Sequence, residues 1–173
     1  IMLVQSYSHG ASTKPLIGAT LGVNFDAAVK KWGERDALIV RHQNVRWSYL
    51  DLQEKVNAFA AGLLNLGLEP GDRVGMWSPN NSEWVVVQYA TAKVGLILVN
   101  INPAYRVAEL EYAINKVGCK ALILASSFKS SDYVAMVGEL APKISESTPG
   151  NISCGRLPSL NTLIQIGGKT NDG

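Results

Sequence analysis

Gly67-Leu68-Glu69-Pro70-Gly71-Asp72-Arg73-Val74-Gly75-Met76-Trp77 opens the stretch that decides the fold. Trp84 to Gly95, then Asn100-Ile101-Asn102-Pro103, then Val117-Gly118-Cys119-Lys120-Ala121-Leu122-Ile123-Leu124 complete it. Short apolar runs of strand length alternate with longer runs of helical period. Each helical run ends in a glycine. That alternation is the pattern of a parallel sheet wrapped by helices.

Pro70-Gly71-Asp72 reads as a tight turn and 73–77 as a strand. Pro79-Asn80-Asn81 breaks the strand, and Asn81 or Ser82 caps a helix to about 93. Residues 96–101 are almost continuously apolar, as expected of a strand covered on both faces. A loop at Asn102-Pro103 leads to a helix over 106–117, whose stripe is Val107, Leu110, Ile114 and Val117. A strand over 120–125 follows, and Ser130 or Ser131 caps a helix to about 140. Residues 142–159 are rich in Pro, Ser, Gly and Asn and read as a surface loop. Residues 160–166 are a last strand and 167–173 a polar tail.

Upstream, 1–18 reads as an extended lead-in without period. Thr20 caps a helix over 21–32, closed by Gly33. Strands 36–41 and 45–47 form a hairpin across a turn at His42-Gln43-Asn44. Ser48 caps a helix over 49–66, with Leu52, Val56, Phe59, Ala60, Leu63 and Leu64 on one stripe and Gly67 at its end. The fold class is α/β: a mainly parallel sheet flanked by helices, with an N-terminal β-hairpin.

At 173 residues, 47% of them hydrophobic and 17% charged, the chain fits one folded unit. The net charge of +2 comes without a block of like charges, so nothing marks a nucleic-acid partner. The longest apolar run, 94–99, is too short for a transmembrane segment. Cys119 and Cys154 lie far apart and have no metal spacing, and Cys119 reads as a buried, inert thiol. No secretory signal opens the sequence, and an organelle-targeting segment removed before Ile1 stays open.

Few residues carry chemistry. The Gly67 to Val74 turn is architectural, since each special residue stops a helix, reverses the chain or starts a strand. Gly167-Gly168-Lys169-Thr170 is not a phosphate loop: position 163 is leucine where a glycine is needed, and no helix follows. His9 and His42 read as surface residues, and Glu109 and Glu111 point to different helix faces. Trp47, Trp77, Trp84 and Tyr89 read as core rather than as a base or sugar platform. No catalytic residue and no metal ligand set is assigned. Asn100-Ile101-Asn102-Pro103-Ala104-Tyr105-Arg106 is different. It lies at the C-terminal end of an apolar strand and opens a helix, the edge where open α/β sheets bind ligands. Asn102 and Tyr105 offer polar contacts there, and the helix start offers N–H groups suited to an anion. A plain loop remains the competing reading.

Several motifs together resemble the N-terminal subdomain of the acyl-CoA synthetase (adenylate-forming) family. They are Ser48-Tyr49-x-x-Leu52, Gly67-x-x-Pro70-Gly71-Asp72-Arg73-Val74, Pro79-Asn80, Asn100 to Tyr105, Leu110-Glu111-Tyr112 and Lys116 to Leu122. The medium-chain mitochondrial branch is nearest, and the lead-in fits it through Ser6-Tyr7-x-His9-Gly10 and Pro15-Leu16. The resemblance implies a parent that joins a fatty acid to ATP, with magnesium, as an acyl-adenylate. Coenzyme A then displaces AMP to give a thioester. It implies that residues 19–173 are the N-terminal subdomain, truncated before the ATP-binding loop and inactive alone. The alternative is a stand-alone binding or interaction module derived from that subdomain. The resemblance assigns a coenzyme A nucleotide groove to Asn102, Pro103, Tyr105 and Lys129, with a solvated Lys129 as the plain alternative. It admits a mitochondrial location without fixing one. An isolated subdomain should also expose apolar surface and self-associate.

Overall fold

The computed structural model describes residues 10, 12–148 and 150–167. Residues 1–9, 11, 149 and 168–173 lie outside the described residues, and with them fall most of the lead-in, His9 and the Gly168-Lys169-Thr170 part of the tail. Described residues 10 and 12–18 are exposed and form no regular element.

Helix α1 (Leu21–Trp32) starts where the Thr20 hydroxyl accepts from Val23 N–H. Strands β1 (Asp36–Val40) and β2 (Val45–Ser48) pair antiparallel. Their connection is longer than the sequence suggested: Arg41–Gln43 form a 3-10 turn that ends on left-handed Asn44, so Arg41 leaves the strand. Helix α2 (Tyr49–Asn65) carries a reciprocal cap. Ser48 Oγ accepts from Asp51 N–H, and Asp51 Oδ2 accepts from Ser48 N–H.

The main sheet holds β3 (Arg73–Trp77), β4 (Ile97–Asn100), β5 (Ala121–Ala125) and β8 (Thr162–Ile166), in the order β4-β3-β5-β8. Every pair in it is parallel. The three segments 73–77, 97–100 and 121–125 therefore end on one rim, as the alternation of apolar runs required. The linking helices are α3 (Ser82–Lys93), α4 (Val107–Val117) and α5 (Tyr133–Leu140). Gly118 adopts φ 64° past the end of α4, and its N–H returns to Ile114 and Asn115 carbonyls.

Strand alternation divides the interior in two. Val74 and Met76 of β3 with Ala121 and Ile123 of β5 face Leu63 and Val87 of α2 and α3. Trp77, Leu122 and Leu124 face Leu110, Ile114, Met136 and Leu140 of α4 and α5. A third cluster joins α1, α2 and α3 through Phe25, Val29, Val56 and Ala90. Of the large aromatics, Trp77 is fully buried, and Trp47, Trp84 and Tyr89 are half-buried against these clusters. Cys119 is fully buried, and burial pushes its thiol up to about 11.

Four expectations need correction. The apolar 96–101 run forms the edge strand β4, not a covered one, and Ile97 is 51% exposed. The strand buried along its whole length is β5. Helix α5 is capped by Asp132, which accepts from Ala135 N–H, rather than by Ser130 or Ser131, and a small hairpin precedes it. That hairpin pairs β6 (Ser127–Phe128) with β7 (Ser131–Asp132). The 142–159 segment is not all surface, since Ile152 and Leu157 are buried. Leu160 is buried just ahead of β8 rather than inside a strand.

Candidate functional site

The rim is formed by the C-terminal ends of the parallel strands. The connection after β3 leads to α3 on one face of the sheet, while those after β4 and β5 lead to α4 and α5 on the other. A sheet whose connections part in this way opens a crevice at its carboxyl edge. Two loops border it here, residues 101–106 after β4 and 126–132 after β5.

The first loop is built on Asn102. Its Oδ1 accepts from Ala104 N–H at 2.9 Å, and its carbonyl accepts from Tyr105 N–H at 3.0 Å. This is a side-chain-stabilised turn, the usual role of asparagine outside regular structure. Pro103 is half-buried, and the half-buried Tyr105 leans on the α4/α5 core. At the start of α4, Glu109 Oε2 accepts from Arg106 N–H at 3.0 Å. A carboxylate thus already sits over the helix end that the sequence offered to an anion.

The second loop carries the cation. Lys129 is exposed and takes φ 51° at the turn between β6 and β7, a left-handed conformation rare for lysine. Its Nζ lies 5.3 Å from the Phe128 ring centroid. Lys129 lines a depression of about 450 Å³ with Ser126, Ser127, Ser130, Ser131, Asp132 and Gln165. The ammonium and the hydroxyls suit an anionic oxygen group, while the Asp132 carboxylate in the same wall accepts from Ala135 N–H at 2.9 Å.

The candidate residues do not all meet. Lys129 lies in the depression, whereas Asn102, Pro103 and Tyr105 stand on the adjoining loop and are not part of its wall. Two contacts bridge the loops. Arg106 Nη1 donates to Ser131 Oγ at 2.8 Å, and Tyr133 Oη donates to Pro103 O at 2.5 Å. Burial pushes the Tyr133 phenol up to about 12. Trp77 Nε1 donates to Asn102 O at 3.2 Å. The sequence placed Arg106 in the rim stretch without giving it a contact, and it gave Ser131 and Tyr133 no part there. The only signal for Tyr133 was its place in the Tyr133, Met136, Val137, Leu140 stripe, since a buried tyrosine needs a partner for its hydroxyl.

Among the described residues no three of His, Cys, Asp or Glu gather closely enough to hold a metal ion. No described helix is long and apolar enough to cross a membrane. A second concavity, of about 800 Å³ and almost wholly apolar, lies between α2, α3 and β8. Trp47, Phe59, Leu63, Val86, Val87 and Ile164 line it, with Lys55 and Glu83 also in its wall.

Known proteins resemble this chain in sequence and in fold. The mouse medium-chain acyl-CoA ligase ACSF2, mitochondrial, is 41% identical over 161 residues, which is 93% of this chain and 26% of the mouse protein. The zebrafish (Danio rerio) protein of the same name is 43% identical over 162 residues, 94% of this chain and 27% of its own. The chain therefore spans about a quarter of the length of these relatives. Among solved structures, a Mycobacterium tuberculosis fatty acyl CoA synthetase superposes with TM-score 0.70 at 20% identity, covering 85% of this chain and 26% of that one. The inhibitor-bound N-terminal domain of FACL13 from the same organism gives TM-score 0.70 at 20% identity, over 85% and 33%. The likeness to these structures is one of fold. The AMP-binding enzyme pattern matches residues 25–164, from inside α1 to inside β8. With that match added to the shared motifs, the chain belongs to the AMP-binding enzyme family, as a segment of the N-terminal subdomain found in its acyl-CoA ligases.

Proposed function

We propose that the chain serves a fatty acid–CoA ligase, contributing its N-terminal subdomain and one wall of the coenzyme A nucleotide groove. The parent reaction has two steps: fatty acid and ATP give acyl-adenylate and pyrophosphate, then the coenzyme A thiol displaces AMP to give the thioester. Magnesium would assist the first step. The acid is of medium chain length on the reading that follows the ACSF2 relatives.

The observation that carries the proposal is the depression at the sheet's carboxyl rim, with Lys129 among serine hydroxyls beside the Asn102-Pro103 turn. Lys129 and Ser130 suit a phosphate group of the nucleotide, and Tyr105 stands on the neighbouring loop as an aromatic edge. Within these 173 residues there is no glycine- and Ser/Thr-rich ATP loop, so on this reading the chain alone does not complete either step, and with one wall of the groove it holds coenzyme A weakly at most.

Calorimetry on the 173-residue chain tests this. The expected result is weak coenzyme A binding at most and no binding of ATP. Tight binding of either nucleotide, or of a protein, would instead favour a stand-alone binding module. The apolar concavity supports a further part of the proposal, self-association of this chain through the α2/α3/β8 face.

A further inference from the structure

Trp77 closes β3 and Tyr133 opens α5, and both side chains are fully buried. Their rings stack with centroids 3.6 Å apart at 11°. Each ring carries a single N–H or O–H donor, and the two donors go to successive carbonyls of one loop, Trp77 Nε1 to Asn102 O and Tyr133 Oη to Pro103 O. The backbone N–H of Tyr133 donates to Ser126 O at 3.1 Å. One residue therefore grips both loops that border the rim.

We propose that the stacked Trp77–Tyr133 pair is the positioning device of the rim. It holds the Asn102–Tyr105 turn at a fixed offset from the 126–132 loop and so sets the affinity for coenzyme A. This rests on reading the rim as a coenzyme A groove. The physical case is one of order. A surface turn with few apolar contacts ordinarily opens at little cost in free energy. Here two consecutive carbonyls are anchored from below by buried donors whose rotamers are locked by stacking. The open face of the turn is left for ligand. Tyr133 touches no substrate in this scheme, so it is a positioning residue.

The test uses the full 173-residue chain and its Tyr133→Phe variant, which keeps the ring stack and removes one donor. Tyr112→Phe, at an exposed site on the outer side of α4, is the control. The variant should melt close to wild type and exchange the amides of Ala104 and Tyr105 faster. Coenzyme A titrated by calorimetry should bind it about five-fold more weakly, the size of one net hydrogen bond. Tyr112→Phe should change neither readout. A wild-type chain that binds coenzyme A, with Tyr133→Phe exchanging and binding identically, overturns the positioning role and leaves the groove standing. Faster exchange at unchanged affinity overturns the link between the clamp and the ligand. A wild-type chain that binds no coenzyme A overturns the groove, and the positioning role with it.

Discussion

Lys120 Nζ and a carboxylate oxygen of Asp72 lie 2.7 Å apart across a sequence separation of 48 residues. The pair joins the start of β3 to the start of β5, beside the bond from Lys120 N–H to Arg73 O. Burial opposes ionisation of Asp72. The Lys120 ammonium, the Glu69 N–H and the Arg73 charge outweigh it and hold the carboxyl below its ordinary value. A depressed carboxylate stabilises the fold above its unfolded pKa of about 4, and that contribution is lost as pH falls through the folded value. Asp72→Asn should therefore cost about 1 kcal/mol at pH 7 in urea unfolding and flatten the acid limb. An acid limb unchanged in the variant would rule the pair out as a contributor.

The alkaline limb should have its own signature. Cys119 and Tyr133 are raised to about 11 and about 12, both first by burial. A group held neutral in the fold contributes stability below its unfolded pKa and loses it as pH rises through the folded value. The expected loss runs from about pH 9 to pH 12. In the folded chain at pH 8, a thiol reagent should leave Cys119 unmodified until the protein unfolds. Fast stoichiometric labelling of Cys119 under native conditions would contradict its burial.

Gly75 stands at the centre of the sheet, where an added Cβ would lie 3.0 Å from Ile101 Cδ1 and 3.0 Å from Leu122 Cδ1. Both neighbours are side-chain ends, so they yield rather than block. Gly75→Ala should destabilise by about 1 kcal/mol and Gly75→Val by about 2–3 kcal/mol. Because Ile101 leads into Asn102, coenzyme A affinity should fall along the same series. Thermal melts that place Gly75→Val at wild-type stability would sink this.

Lys129→Gly separates strain from function. Glycine accepts φ 51° freely, so the fold should stay within about 1 kcal/mol of wild type. Removal of the ammonium should weaken binding of coenzyme A at low salt by several-fold, an effect screened as salt rises. Equal affinities for the two chains at low salt would take Lys129 out of the groove.

Ile164→Lys places a charge in the apolar concavity between α2, α3 and β8. If that face joins two copies, light scattering should show a concentration-dependent mass for wild type and a monomer for the variant. A wild-type monomer at high concentration would end the self-association proposal.

The central strands were readable because turn residues punctuate them: Pro70-Gly71 before β3 and Gly118 before β5 leave apolar runs of strand length. Burial of each strand was less readable. An Ile-Leu-Val run looks alike at the edge and in the middle, and only the β4-β3-β5-β8 order shows that Ile97 is open to water. The cap of α5 slipped to Asp132 because Ser130, Ser131 and Asp132 are three consecutive good caps. The two-residue strands β6 and β7 are too short to carry a period. In the candidate site, the Asn102-Pro103 turn was legible from its position after a strand. The Tyr133 grip on it was not, since the acceptor is a backbone carbonyl 30 residues away.

The strand order β4-β3-β5-β8 has a consequence for how such a chain is made. As synthesis proceeds, β3 emerges first, β4 joins one flank of it, β5 the opposite flank, and β8 then attaches to β5. Each newcomer docks on a free margin, and none must pry apart a pair already made. A ribosome releasing residues in sequence can therefore lay down this sheet stepwise, each stage a native subset of the next, which shortens the exposure of unpaired margins to aggregation.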